Sequence, residues 1–182
     1  MGRVYDGIDE ALSSWLCRQP VFFVATAPSV GGHVNVSPKG LDTFVVLDAH
    51  RVAYLDLTGS GIETIAHLRD NGRITLMFCA FDGPPRIVRL SGTGHVALPG
   101  HEGYADLAER WPALPGVRAV ITVDLDRVAD SCGFGVPLMD LVGERQDLRR
   151  SAERRGAAGL QEYRATRNAV SIDGLAGLDP DC

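Results

Sequence analysis

The sequence predicts a mainly β (α+β) fold, a small antiparallel barrel with peripheral helices. Six or seven segments have the apolar alternation or the short apolar runs that are typical of strands. Glycines at 92 and 94 lie inside one long strand and predict a bulge or sharp coiling there. Too few helices separate successive strands for a doubly wound parallel sheet. A length of 182 residues suits a single domain over 1–182, with 131–182 as a C-terminal loop and helical extension.

The centre of the pattern is the stretch from Arg51 to Phe78. Residues 51–57 alternate as a strand does, and the sequence after them predicts a turn, one inserted helix and another strand from Arg73. Ser60 and Glu63 have the spacing of a capping box at the start of that helix. Asn71-Gly72 should end it, because glycine adopts the left-handed conformation at little cost.

The turn Thr58-Gly59-Ser60-Gly61 has two interpretations. A glycine-rich turn before a helix presents unpaired backbone N–H groups at the positive end of the helix dipole, where anions bind. The alternative is a well-capped connection with no ligand, since a lone Gly-x-Gly is weak evidence.

The remaining elements follow from the same patterns. A run at Val21–Ala27 is apolar throughout, which predicts a strand buried on both faces and hence a homodimer whose partner covers one of them. Pro38 predicts an edge or a bulge. The other expected elements are strands at 33–38, 44–48 (a hairpin with 51–57 through Ala49-His50), 73–81, 86–98 and 117–128, helices at 9–19, 100–111, 137–150 (starting at Pro137) and 151–169 (broken by Gly156 and Gly159), a loop at 130–136 and an irregular tail.

Composition excludes several classes of protein. The net charge of −5 argues against a general nucleic-acid binder, and no apolar run is long enough for a transmembrane helix. The N-terminus lacks the apolar region of a signal peptide. The four cysteines, Cys17, Cys79, Cys132 and Cys182, form no Cys-x-x-Cys, and the histidines show no ligand spacing. We therefore expect a reduced, cytoplasmic protein that has no metal site and does not associate with membranes.

Lysine is rare in this chain. Lys39 is the only lysine among 18 basic residues. One interpretation is that a compact, flexible ammonium is needed there, and the other is a turn lysine in solvent within an arginine-rich composition.

The order of these segments resembles a known family. A strand ending Val-Ser-Pro-Lys-Gly (36–40) is followed by Tyr-Leu-Asp-Leu-Thr (54–58), by the helix segment IETIAHLRDN (62–71), by GRITLMF (72–78) and by RIVRLSG (86–92). This order resembles the pyridoxamine 5'-phosphate oxidase family, the split-barrel flavoproteins, over about Ile8 to Val128. The resemblance implies a homodimeric split β-barrel that binds FMN at the dimer interface.

By position, the resemblance assigns this chain's cofactor contacts. Residues 34–39 would lie along the isoalloxazine ring, Leu57 and Thr58 would contact the flavin, and 60–64 would meet its phosphate. The implied cofactor-binding residues are Val36, Ser37, Pro38, Lys39, Leu57, Thr58, Ser60, Glu63, Thr64 and Ile87.

Two departures from the family pattern affect function. Glu63 and Thr64 stand where an arginine and a lysine usually contact the phosphate, so backbone amides of 59–62, the Thr64 hydroxyl and an arginine such as Arg73 or Arg86 would have to compensate. The C-terminal substrate pattern is replaced by SCGFGVPLMDLVGER (131–145), so we do not expect vitamin B6 oxidation.

The function expected from this resemblance is that of a cytoplasmic, FMN-binding oxidoreductase with a small-molecule substrate of unknown identity. One alternative is an oxidoreductase that uses the deazaflavin F420. Another is a protein without catalytic activity that binds or senses flavin or haem.

Overall fold

A computed structural model describes residues 2–179, which form one antiparallel sheet with helices at its periphery. The strand order is β3-β2-β6-β7-β8-β5-β4, with β1 paired to β8. The elements in chain order are β1 (Val4–Tyr5), α1 (Glu10–Cys17), β2 (Phe22–Thr26), β3 (Asn35–Lys39), β4 (Phe44–Asp48), β5 (Arg51–Leu57), α2 (Glu63–Asn71), β6 (Arg73–Cys79), β7 (Ile87–Ala97), α3 (Tyr104–Ala108), β8 (Val117–Ser131) and α4 (Asp147–Arg167). The predicted fold class is confirmed, whereas the two-residue strand β1 was not predicted.

Strand β5 separates two clusters of apolar side chains. Val52 and Tyr54 pack into the main core, and Ala53 and Leu55 pack on the other side with Trp111. Helix α2 covers the main core through its buried apolar face. The alternation in the sequence therefore corresponds to the structure, because successive side chains of this strand pack into two different apolar layers.

The hairpin and the end of α2 agree with prediction. Strands β4 and β5 pair as an antiparallel hairpin across Ala49-His50. Gly72 ends α2 in the left-handed region, with φ 71°, and its N–H bonds to the Leu68 carbonyl. Strand β3 lies at the edge of the sheet, where Pro38 costs no ladder hydrogen bond.

In the single chain, one face of Val21–Ala27 is buried, and the other face, which the predicted partner subunit would cover, is only partly buried. Within β2, Phe22, Val24 and Thr26 are buried, whereas Phe23 and Ala25 are only partly covered. Apolar composition alone shows which side chains tolerate burial, and it does not show that a second layer exists to bury them.

The predicted capping box does not form. Helix α2 begins at Glu63, and its N-cap residue is Ile62, whose side chain cannot accept a hydrogen bond. The Glu63 carboxylate instead accepts from the backbone N–H of Ile172, at 3.4 Å. A contact from the distant C-terminal segment has taken the carboxylate that the local pattern assigned to the cap.

The helix predicted from Pro137 is also wrong. Residues 132–146 contain no helix, and the C-terminal helix starts at Asp147. Apolar side chains in this stretch, such as Phe134, Leu138 and Val142, are exposed, so a helical conformation would gain no burial in the single chain. The predicted break at Gly156 is confirmed by its non-helical backbone, whereas the helix continues through Gly159, where a break was also predicted.

Helix α3 is shorter than the predicted 100–111, and Cys182 lies outside the described residues. Among residues 2–179, no helix combines the length and the apolar character needed to cross a membrane.

The bulge between β7 and β8 requires a glycine at position 92. The register between β7 and β8 shifts between Ser91 and Gly92. A Cβ atom at Gly92 would overlap the backbone carbonyl of Asp124 on the neighbouring strand. The predicted bulge therefore exists, and it depends on the absence of a side chain.

We expect Gly92→Ala to destabilise the protein by roughly 1–3 kcal/mol, because two backbones must move apart. Gly135→Ala is the matched control, since a Cβ there meets no atom within 4 Å. Urea unfolding of both variants measures the difference. Equal stability in the two would show that the strands absorb the added methyl group.

Candidate cofactor site

A cavity lies where the edge strand β3 faces the turn before α2. It has a volume of about 130 Å³. It opens beside a wider cleft of about 470 Å³, and the two share Gly61 and Glu63. The small cavity is lined by Ser37, Lys39, Leu57, Gly59, Gly61, Glu63, Thr64 and Arg118, and the cleft by His33, Val34, Asn35, Val36, Ser60, Gly61, Glu63 and Ile172.

Most of the sequence-predicted cofactor residues meet here. Val36, Ser37, Lys39, Leu57, Ser60, Glu63 and Thr64 all line one or both spaces. The remaining three do not. Thr58 and Pro38 line separate depressions, and Ile87 lies on β7, three strands from β3 in the sheet.

A buried ion pair forms one wall of the cavity. The Asp56 carboxylate has no exposed surface and accepts from Lys39 Nζ at 2.7 Å and from Arg118 Nε and Nη2 at 2.8 and 2.7 Å. Burial alone would raise the pKa of Asp56, but the two adjacent cations and their hydrogen bonds outweigh it, so the pKa of this carboxyl lies below its ordinary value. Lys39 is therefore an internal cation, and its interpretation as a turn lysine in solvent is wrong.

The same arginine fixes the turn. Arg118 Nη1 donates to the Gly61 carbonyl at 2.8 Å and to Asn168 Oδ1 at 2.9 Å. Asn168 Nδ2 in turn donates to the Gly59 carbonyl at 3.0 Å. These side chains bond to the carbonyls of the turn, whereas its backbone N–H groups at 59–64 have no acceptor among residues 2–179. Unpaired N–H groups at a helix start form a suitable environment for an anion.

The two arginines suggested by sequence serve other purposes. Arg73 bonds to Asn71 and to the Pro28 carbonyl, and Arg86 bonds to Tyr5. Of the arginines in the described chain, Arg118 is the one that lines the cavity. The available signal was an arginine inside the otherwise apolar run of β8, where a charge has to have a buried partner.

A polar chain runs from the cavity into the interior. Asn35 Nδ2 donates to Thr64 Oγ1 at 3.1 Å and to Thr26 Oγ1 at 3.2 Å, and Ser37 Oγ donates to Asn35 Oδ1 at 3.0 Å. Thr26 Oγ1 lies 3.0 Å from Nδ1 of the fully buried His67. Asn35 entered the sequence prediction only within the range 34–39, and neither Thr26 nor His67 was among the predicted site residues.

The C-terminal extension closes the back of the turn. Arg164 on α4 donates to Thr58 Oγ1 at 3.0 Å and to the Val117 carbonyl at 2.8 Å. Burial, with the nearby charge of Arg118, lowers the pKa of Arg164. Thr58 is thus held from behind instead of lining the cavity.

We expect Asp56→Asn to lower the free energy of unfolding at pH 7 by about 3–5 kcal/mol, because it leaves Lys39 and Arg118 buried without their counter-charge. A carboxyl whose pKa is lower in the folded state stabilises the fold above its unfolded pKa, and this contribution is lost as the pH falls through the folded value. Wild-type stability should therefore decline below about pH 4, and the variant should lack this part of the decline.

The control for that measurement is Asp124→Asn, an exposed carboxylate paired with Arg51 and His95. It should change stability by less than about 1 kcal/mol. Denaturant titrations between pH 3 and 7 test both variants. Similar curves for Asp56→Asn and Asp124→Asn would contradict the role given to the buried pair.

Comparison with known proteins places this geometry in a family. Residues 8–132 match the family model described as pyridoxamine 5'-phosphate oxidase. A pyridoxamine 5'-phosphate oxidase family protein of Aspergillus flavus, ustO, is 47% identical over 191 residues, covering 96% of this chain and 77% of the relative.

Solved structures share the fold at low identity. HupZ from Group A Streptococcus has 23% identity and a TM-score of 0.54, covering 66% of this chain and 91% of that one. A candidate pyridoxamine 5'-phosphate oxidase of Lactobacillus delbrueckii has 21% identity and a TM-score of 0.52, covering 68% and 94%. The family model, the curated relative and the shared fold agree, and the chain belongs to the pyridoxamine 5'-phosphate oxidase family.

Proposed function

We propose that this protein binds FMN in the cavity and the adjoining cleft between β3 and the turn before α2, and that it is an FMN-dependent oxidoreductase. The observation that carries the proposal is the meeting of Ser37, Lys39 and Thr64, from two separate elements, around one space. The family resemblance assigned these three residues to the cofactor from sequence order alone.

The phosphate would be held mainly by the backbone. The free N–H groups of 59–64 and the Thr64 hydroxyl are neutral donors, and Lys39 and Arg118 carry two positive charges nearby, of which Asp56 offsets one. Glu63 lines the same space and repels an anion by roughly 1 kcal/mol at about 4 Å in water. This combination fits a phosphomonoester, with Glu63 as the one unfavourable group.

The ring would lie along β3. A bound flavin supplies two-electron chemistry, and the protein contributes orientation and charge. Lys39 offers an ammonium whose position is fixed by Asp56 at 2.7 Å, so a cation is kept beside this strand without having to be ordered on binding. Val36, on the same strand, is exposed in the adjoining cleft and offers an apolar surface for an aromatic ring.

We also infer that the functional unit is a homodimer. Val34 and Val36 of the edge region and the segment 138–142 expose apolar side chains, and one face of β2 is incompletely covered. Ile87 lies three strands from β3, about 14 Å at the usual strand spacing. In a dimer with the cofactor at the interface, this residue would serve the partner's site.

Titration of the cofactor-free protein with FMN tests the proposal. We expect a saturable spectral shift of the flavin and stoichiometric binding. Glu63→Gln should bind FMN about fivefold more tightly, since it removes a repulsion of roughly 1 kcal/mol and keeps an oxygen that can accept from Ile172. Glu153→Gln, on the exposed surface of α4, is the matched control and should bind as wild type does.

Failure to bind FMN, with binding of F420 or of haem in parallel titrations, would replace the proposed cofactor. Weaker FMN binding by a folded Glu63→Gln would mean that this carboxylate contacts the ligand favourably.

Sedimentation equilibrium tests the homodimer at micromolar concentration. We expect a dimer for the wild type and a monomer for Leu141→Glu, which places a charge in the exposed apolar segment. Val30→Glu, at an exposed loop valine, is the control and should remain dimeric. A stable wild-type monomer would contradict the inference.

A further inference from the structure

His67 lies at the inner end of the polar chain that starts in the cavity. Its ring is fully buried in α2, and Nε2 has no hydrogen-bond partner in the described part of the chain. From Nδ1 the chain passes through Thr26 on β2 to Asn35 on β3, and from there to the hydroxyls of Thr64 and Ser37. A buried imidazole is thus connected to the candidate cofactor site by three hydrogen bonds.

The amide of Asn35 determines which hydroxyl donates into the cavity. Its nitrogen faces the oxygens of Thr26 and Thr64, so both amide hydrogens are used. Thr64 therefore accepts internally and keeps its own hydrogen for the cavity. Ser37 gives its hydrogen to Asn35 Oδ1 and presents lone pairs instead.

The orientation of that amide depends on Thr26. Thr26 Oγ1 accepts from Asn35, and the acceptor within reach of its own hydrogen is His67 Nδ1, at 3.0 Å. With the ring proton on Nε2, one buried donor is left without a partner. With the proton on Nδ1 and the same amide orientation, the Thr26 hydrogen and the Nε2 lone pair would both be unpaired. Unmade hydrogen bonds in the interior are costly, so the first tautomer fits this geometry better.

We propose that His67, as the Nε2–H tautomer, is a positioning residue that sets the hydrogen-bond polarity of the cavity through Thr26 and Asn35. Thr64 then faces a ligand as a donor, as a phosphomonoester requires. The reverse arrangement, with Nδ1 protonated and the amide turned over, would direct lone pairs of Thr64 at the same anion. The identity of the ligand rests on the proposed function, whereas the hydrogen-bond polarity rests on the contacts alone.

The tautomer can be measured without any flavin. Nitrogen-15 NMR of the cofactor-free protein, with His67 assigned by its disappearance in His67→Asn, should show a protonated Nε2 and an unprotonated, pyridine-like Nδ1. A proton on Nδ1 would overturn the proposal. This readout remains decisive even if the protein binds no FMN, in which case only the proposed function fails.

Binding measurements test whether His67 affects the ligand through Thr26 and Asn35. His67→Leu removes the acceptor at similar volume and should weaken FMN binding roughly tenfold, as expected for one misdirected hydrogen bond to a charged group. Riboflavin, which lacks the phosphate, should change less than about twofold by the same reasoning. His67→Asn should recover most of the FMN affinity, because its carboxamide oxygen can occupy the position of Nδ1.

Thr26→Val interrupts the chain without changing His67, and it should weaken FMN binding as much as His67→Leu does. Thermal unfolding of each variant confirms that it is folded before affinities are compared. Equal losses for FMN and riboflavin, or an asparagine variant as weak as the leucine variant, would show that His67 is only a packing residue.

Discussion

The buried carboxylate of Asp56 is the interaction on which the rest of the site depends. It joins Lys39 of β3 to Arg118 of β8 across the strand that carries it, and all three side chains are largely removed from solvent. Taking such charges out of water costs several kcal/mol each, and the cost is recovered only when every charge has its partner. The edge strand, the centre of the sheet and the start of the turn are therefore held in one arrangement by a single acceptor.

This arrangement explains how the turn can present donors to a ligand. Arg118 and Asn168 take the carbonyls of Gly61 and Gly59, so the peptide units are oriented by side chains that arrive from behind. Asp56 offsets one of the two positive charges near the cavity, because a single carboxylate is paired with both Lys39 and Arg118. A ligand anion would then depend on N–H groups and the Thr64 hydroxyl, and a chain with Glu63 and Thr64 at these positions still retains a set of donors.

The strands could be predicted because the sequence pattern of a strand is local. The side chains that hold the turn at the candidate site could not be predicted in this way. Alternation in 51–57 and the glycine at 72 each record a constraint that acts within a few residues. Ser60 and Glu63 also satisfy a local rule, yet Glu63 turns to Ile172, which is 109 positions away. Arg118 and Asn168 are likewise placed by contacts that no short pattern contains. Pro137 shows the same limit, because a helix-start residue does not produce a helix where no other part of the same chain packs against it.

The C-terminal extension matters for the same physical reason. The family model ends at 132, yet Arg164 and Asn168, which hold Thr58 and the turn, come from beyond it. The barrel by itself supplies the cavity walls, but glycines at 59 and 61 leave the turn with many accessible conformations, and fixing them costs entropy. Arg164 of α4 and Asn168 at its end hold the turn in one conformation in the folded protein, before any ligand binds. The relative that aligns over 96% of this chain spans this region as well, so the extension is best understood as part of the site and not as an appendage to the barrel.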